Sequence, residues 1–483
     1  MPQPMSITSP RFFLFASLIL ALYYTVSRKR QRHLLLIASY FFCATWDWRF
    51  CVTLLALTLV NYCVAIAIGS NRDSNATALL WLGLSLNGGG LILFKYAGYY
   101  WARISPALYA SELALPARPL ALLAPIGISF YTLQAISYLV DVYRRQLAPS
   151  RDFVDVSLYL AYFPKLLAGP IERAQNFIPQ LHPDRTVDNR TVSEAVTLIV
   201  TGLVRKLAIA DILLALVPEG LFADPASFPA PDLAFWMLTY IFIIYNDFAG
   251  YTSIVRGVSC LFGISISPNF RQPFFSTTFT DLWNRWHMTL TSWLRDYIYL
   301  PLSRVMLRRN QSARYLPNLV VPPVVTMLAS GLWHGANPHF ILWGLLNGAA
   351  LAVERVRRAW RPQVRPGQGN PHWQAVANAL LVLAAAFLIA APFRMEIPET
   401  FAFWMGLTRW KAAQTLASYQ VIRPILGMSL SLLLDVMHFR AKDELAVLRS
   451  PRAVQSALLS AAVLLIFLAT RQQPGSPFIY QEF

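Results

Sequence analysis

Two histidines, His287 and His334, are the side chains of this sequence that are candidates to move a proton. Imidazole is the group whose unperturbed pKa lies near neutrality, so it can act as a general base with little tuning. His334 stands in Gly331-Leu-Trp-His-Gly-Ala-Asn337, at the bend between two short apolar segments of Val320 to Ala350. Arg304, Arg308, Arg309 and Arg314 precede that stretch and Arg355, Arg357, Arg358 and Arg361 follow it, so the positive-inside rule puts both of its ends on the cytosolic face. From Leu319 to Trp333 a helix rises roughly 22 Å, against a hydrocarbon core of ~30 Å. His334 is therefore expected deep in a bilayer, towards its outer side. An ionisable side chain at that depth costs free energy unless it faces a cavity or a partner, which makes it a candidate functional residue. Two readings stand together: a general base, or a structural histidine that bonds a neighbouring carbonyl and holds a tight bend for which Gly331 and Gly335 supply the freedom.

His287 lies in Asp281 to Tyr297, where Trp283, Trp286, Trp293 and Tyr297 recur at spacings of three, seven and four residues with charges between them. That pattern predicts one amphipathic helix at the cytosolic interface or just inside it. Alone, a histidine beside tryptophans reads as an interfacial anchor. Two histidines on segments that meet in the middle of a bundle instead offer a base and a second polar group to orient a substrate. His339, five residues past His334, suggests a metal site, but no Glu or Cys stands at ligand spacing, HExxH is absent and Pro338 interrupts the helix that would align the pair. No metal is expected. The signatures of serine hydrolases, P-loop enzymes and dinucleotide binders, GxSxG, GxxxxGK and GxGxxG, are missing too.

The elements that must hold these histidines are apolar. Of 483 residues 56% are hydrophobic and 13% charged, far more apolar surface than a soluble domain buries, so the chain reads as a multi-spanning membrane protein. Its formal charge of +17 comes from short arginine runs between apolar segments, which signals topology and attraction to anionic headgroups and not a nucleic-acid surface. Cys43, Cys51, Cys63 and Cys260 form no CxxC pair and read as packing residues. Pro10 to Val26 carries its charges after the apolar core, in Ser27 to Arg32, the reverse of a cleavable signal, and is expected to be a retained span with its amino end outside.

Further spans are expected over Leu34 to Trp46, Phe50 to Ile68, Ala78 to Phe94, Ala121 to Val140, Val192 to Val217, Leu233 to Ile264, Ala375 to Ala391, Val421 to Met437 and Ala453 to Leu468. Gly88-Gly-Gly90 allows close helix packing or a break. Lys95 to Leu120 reads as a mixed external or partly embedded segment, Phe153 to Gly169 as a re-entrant piece, and Phe401 to Trp410 as ambiguous. Asn246, Asp247 and Arg256 fall inside an apolar run and are expected to point into the bundle. No internal repeat is visible, so the chain is taken as one membrane domain over 1–483, with amino-terminal spans in 1–92 and a core in 93–483.

Pro125 to Arg144 (PIGISFYTLQAISYLVDVYR), Tyr162 to Leu181 (YFPKLLAGPIERAQNFIPQL), Asp281 to Leu302 (DLWNRWHMTLTSWLRDYIYLPL), Gly331 to Asn337 (GLWHGAN) and the tail Phe478 to Phe483 resemble the bacterial branch of the membrane-bound O-acyltransferase family. The likeness runs in order from about Leu93 to the carboxyl terminus, stronger to the alginate O-acetyltransferase members than to the D-alanyl-lipoteichoic acid transferases. It implies an all-α polytopic bundle of about 10–12 spans plus re-entrant and interfacial helices, with a thin centre and a funnel on each face meeting at a histidine. His334 matches that histidine, and His287 the family's second one. The implied chemistry is transfer of an acyl group, most simply acetyl, from a cytosolic acetyl-CoA or acyl-carrier-protein thioester to a hydroxyl of an exported polysaccharide, with a periplasmic acetyltransferase or esterase-like partner, in a bacterial inner membrane. His334 would be the base and His287 would polarise the donor carbonyl or orient the acceptor. Asn284, Trp286, Arg295, Trp333, Asn337 and Asp247 are the expected substrate-binding set. Two departures touch the acceptor side: Ser253 stands where the family often has a second aspartate, and Pro338 and His339 replace bulkier residues. D-alanylation, acylation of a lipid or secreted metabolite, and a transporter without acyl transfer are the alternatives; transporters commonly show two related halves, which this sequence lacks.

Overall fold

The computed structural model describes residues 4–71, 74–110, 125–182, 187–312, 314–360, 372–410 and 421–472. Every regular element among them is helical. Seven helices among the described residues are long and apolar enough to cross a membrane: Trp48–Ser70, Ser74–Tyr96, Ala230–Leu261, Leu316–His334, Trp373–Arg394, Ile422–Ala441 and Arg452–Arg471; Pro10–Thr25 is a shorter apolar one. Arg28–Ala44 and Ile128–Tyr143, expected as spans, form helices of 17 and 16 residues. The motif at Phe478 to Phe483 and the basic residue Arg361 lie outside the described residues.

Local chemistry sets the helix starts. Pro10 opens its helix after Ser9, whose hydroxyl accepts from the Phe12 amide at 3.2 Å. Asp47 caps Trp48–Ser70 through the Arg49 amide at 2.8 Å, and Asp152 caps Phe153–Ala161 through Val154 at 2.9 Å. The Trp46 to Arg49 turn between two helices is thus a capping turn as well as an aromatic one.

The chain divides into two compact units. The first holds Met1–Ile199 with Ile254–Ser267. Its core is an aromatic cluster in which the Phe12, Phe15 and Phe42 rings meet Phe163 at 6.1, 5.3 and 6.1 Å. Asn61 and Asn87 donate to each other at 3.0 and 2.9 Å, a reciprocal amide pair buried between two apolar helices. Gly88, Gly89 and Gly90 neither break their helix nor pack closely: Ser74–Ala110 is continuous, and β-carbons there would meet nothing within 4 Å. The helix also runs through much of the segment read as mixed external or partly embedded, Lys95 to Leu120, of which 111–120 lies outside the described residues. Phe153–Ala161 does end early, and Tyr162 to Arg173 continues as buried turns without crossing further as a helix. The backbone there is secured by the fully buried Lys165, whose ammonium donates to the Gln134 side-chain oxygen and to the Tyr159 carbonyl at 2.5 Å.

The second unit holds Val200–Ser253 and Pro268–Ile479. Between Asn189–Leu203 and Ile212–Leu216 the helix widens into a π-helical stretch, Val204–Asp211. Gly250 packs on this stretch so tightly that a β-carbon would stand 2.8 Å from the Lys206 amide nitrogen. The expected helix from Asp281 to Tyr297 is not one helix. It ends at Arg285, restarts at Met288 and becomes π-helical over Arg295–Tyr299. The four cysteines form no disulfide.

Candidate active site

Both histidines belong to the second unit, on elements whose local chemistry places them. Leu316–His334 and Pro338–Trp360 form a close helical hairpin. The first helix tolerates Pro322 and Pro323 in its interior, and Thr326 donates its hydroxyl to the Pro322 carbonyl at 2.6 Å. His334 is its last residue; Gly335 is extended, with φ −174° and ψ 169°. The Asn337 carbonyl accepts from the Phe340 amide at 3.0 Å and starts the second helix.

Gly331 and Gly335 serve close approach, whereas the sequence suggests that they supply the backbone freedom of a tight bend. A β-carbon at Gly331 would lie 2.2 Å from the Phe340 carbonyl oxygen, and one at Gly335 would lie 2.3 Å from the Phe340 ring. Gly344 and Gly348 repeat the pattern, at 2.5 Å from the Met327 oxygen and 2.7 Å from the Val324 α-carbon. At Gly331, Gly344 and Gly348 the contacts are backbone and cannot easily yield, so the hairpin holds the helix end that carries His334 in place. Gly344→Ala is therefore expected to destabilise the folded protein by about 1–3 kcal/mol through overpacking. Gly88→Ala, where the β-carbon meets nothing, should stay within about 0.5 kcal/mol. Thermal unfolding of the detergent-solubilised variants compares the two.

The His334 imidazole is 3% exposed and sits in an aromatic box, its ring centroid 5.1 Å from Trp343, 5.0 Å from Phe393, 6.3 Å from Phe340 and 4.8 Å from Trp333. His287 is 1% exposed, with φ 43° and ψ 52°, the left-handed region. Its ring lies 4.7 Å from Phe248 and 6.1 Å from Trp333. Trp333 is thus in ring contact with both histidines. His287 lies outside the candidate spans, and desolvation holds its imidazole well below the ordinary value, at about 3, so it is neutral. A neutral imidazole has one N–H to donate and one nitrogen to accept.

The helix stops short of His287 because Trp286 is extended, with φ −107° and ψ 129°, and its ring packs edge-on to Phe270 at 5.2 Å and near Tyr245 at 6.1 Å. Arg271 donates its amide to the Arg285 carbonyl at 3.0 Å, and Met288 donates to the Asn269 carbonyl at 2.9 Å, so a neighbouring loop pairs with the break. The aromatic spacing read as one continuous helix therefore spans two helices and a pinned kink.

The other expected residues fall in three places. Trp286 and Trp333 adjoin the histidines, and Asn337 is half-buried one turn past His334. Asn284 and Arg295 are exposed, Arg295 pairing with Asp296 at 2.9 Å. Asp247 is 1% exposed and lies 2.6 Å from the Lys206 ammonium, which also meets Asp211 at 2.7 Å. Asp247 thus belongs to an internal charge layer. His339 turns its Nδ1 to the Pro392 carbonyl at 2.7 Å, and among the described residues no three His, Cys, Asp or Glu side chains cluster as metal ligands.

A buried network went unread in the sequence. Arg205 donates to Asp435 at 2.6 Å and to Asn246 at 3.0 Å, Tyr245 donates to Asp435 at 2.9 Å, and Asn246 donates to Ser431 at 2.8 Å. Charges in the middle of the apolar runs Val192 to Val217 and Val421 to Met437 were the available signal. Phe393, which contacts His334, carried none.

Helices able to span a bilayer mark an integral membrane protein, and the two buried imidazoles around one tryptophan are its candidate site. The chain belongs to the membrane-bound O-acyltransferase family, whose model matches residues 144–390, and it is an O-acyltransferase. It is 32% identical over 496 residues, 98% of each chain, to a probable alginate O-acetylase AlgI of Pseudomonas putida. Another protein of that name, from Azotobacter vinelandii, is 37% identical over 353 residues, covering 72% of this chain and 68% of that one. A peptidoglycan O-acetyltransferase of Helicobacter pylori is 32% identical over 354 residues, 66% of this chain and 64% of that one.

Proposed function

We propose that this protein O-acetylates an exported polysaccharide from the inner membrane of a bacterium, taking acetyl from a thioester on the cytosolic side. The observation that carries the reading is the placement of His334 at a close-packed helix end, with Trp333 in ring contact with both it and His287. His334 takes the proton of the acceptor hydroxyl, the oxygen attacks the thioester carbonyl carbon, the C–S bond breaks, and the thiolate leaves and collects the proton. The neutral His287 donates an N–H to the carbonyl oxygen as charge develops there. The aromatic walls around His334 exclude water, which would otherwise hydrolyse the thioester. The donor is acetyl-CoA or an acylated carrier protein; the relatives' names, alginate O-acetylase and peptidoglycan O-acetyltransferase, support acetyl as the group and a sugar hydroxyl as its destination. A periplasmic acetyltransferase or esterase-like partner completes delivery to the polymer.

The test is reconstitution. Purified protein in liposomes, supplied with labelled acetyl-CoA or labelled acetyl carrier protein, an outside glycan and the partner, should move label to the glycan or to the partner. Uptake of glycan with no transfer of label from either donor would favour a transporter and remove the proposal.

A further inference from the structure

Asn269 has no part in the reaction written above, yet it governs the backbone at His287. A residue with a β-carbon is held in the left-handed region only where its surroundings over-determine it, and His287 is so held, with φ 43°. The helix that follows, Met288–Leu294, takes no side-chain cap from His287, its own N-cap residue. Its first amides are capped instead from a distant loop. The Asn269 carbonyl accepts from the Met288 amide at 2.9 Å, and the Asn269 side-chain oxygen accepts from the Thr289 amide at 3.2 Å and from the Thr289 hydroxyl at 2.6 Å. Asparagine is among the best N-cap residues because its oxygen satisfies such orphan amides. Here the cap is supplied in trans by a residue 1% exposed, which relieves His287 of the capping duty and leaves its imidazole to Phe248 and Trp333. Phe270, the next residue, packs on both Phe248 and Trp286 at 5.3 and 5.2 Å, so the same loop also fixes the rings on either side of the histidine.

We propose that Asn269 is a positioning residue of the acyl transfer: a trans cap that holds His287 in its left-handed conformation and so aims the imidazole at the reacting carbonyl. The inference rests on the proposed role of His287. Without the cap, the Thr289 amide and hydroxyl lose their acceptor, the kink relaxes towards an ordinary helix start, and the imidazole moves off its line.

The experiment follows label from acetyl-CoA in membranes carrying the full chain, for Asn269→Ala, Asn269→Asp, His287→Ala and the double variant Asn269→Ala/His287→Ala. Asn269→Ala should lower kcat roughly 10- to 100-fold with the donor KM little changed, the scale expected of a misplaced catalytic group. Asn269→Asp keeps the acceptor oxygen and should recover most of the rate. In the double variant the Asn269 change should add less than about twofold to the His287→Ala loss, since it acts through that side chain. A full multiplication of the two losses, or an unchanged kcat in Asn269→Ala alongside a loss in His287→Ala, overturns the inference. Full rate in His287→Ala removes the role of His287 itself, and the inference with it. If Asn269→Ala fails to accumulate, Asn269→Asp decides: rate retained supports the cap, and rate lost at normal abundance overturns it.

Discussion

His334→Ala is expected to leave the protein inserted and abundant while cutting O-acyl transfer roughly 10²- to 10⁴-fold, the usual share of a general base. The box around His334 is built from Trp333, Phe340, Trp343 and Phe393, and the Phe340 and Trp343 rings also pack on Phe393, at 5.6 and 5.3 Å. Losing one small ring from such a box leaves most of its contacts intact, so a structural role alone predicts a modest fall in stability and little change in rate. A base role predicts the opposite split. Measuring both O-acetyl content of the exported polymer and membrane abundance separates them, and normal acetylation in His334→Ala would refute the base assignment. His334→Gln, which keeps hydrogen-bonding capacity but cannot take up a proton, should be as inactive as alanine.

The largest stability loss is expected at Asp435. Its carboxylate is fully buried and is shared by Arg205 at 2.6 Å and Tyr245 at 2.9 Å. Asp435→Ala strands the Arg205 guanidinium, itself 4% exposed, and breaking a buried pair from one side costs about 3–5 kcal/mol. Removing both charges together costs less, because the desolvation of two ions is recovered when apolar groups of similar volume replace them. Thermal unfolding in detergent of Asp435→Ala, Arg205→Met and Asp435→Leu/Arg205→Met tests this. The double variant should be more stable than Asp435→Ala, and if it is less stable the network contributes net stability beyond charge matching. A loss of rate is expected as well. Tyr245 bonds Asp435 and its ring packs near Trp286, the residue before His287, so the charge layer supports the kink.

Much of this molecule is legible in the order of its residues, since apolar segments must be long enough to cross hydrocarbon and arginines must stay out of it. The hairpin illustrates this: a helix was expected over Leu319 to Trp333 with His334 at the bend, and the helix is Leu316–His334. Mid-run charges were legible as inward-pointing too, and Asn246 and Asp247 are indeed buried and paired. Periodicity failed at Asp281 to Tyr297. Helical spacing of tryptophans reports which face is apolar, not whether the backbone is continuous, and the kink is imposed by Asn269 to Arg271, a segment distant in sequence. Glycine was ambiguous for the same reason: Gly88 and Gly331 look alike in sequence, but one faces open space and the other meets the Phe340 carbonyl.

By itself, then, the sequence determined that the chain is an all-helical membrane protein of this acyltransferase family and that His334 and His287 are its candidate groups, because hydrophobic length, charge placement and motif are local properties. Only the tertiary structure decided that Trp333 contacts both imidazoles, that Asp247 answers Lys206, and that His287 occupies a left-handed kink. Those follow from which buried donors find which acceptors once the helices are packed, and a hydrogen bond between residues far apart in the chain leaves no period to read.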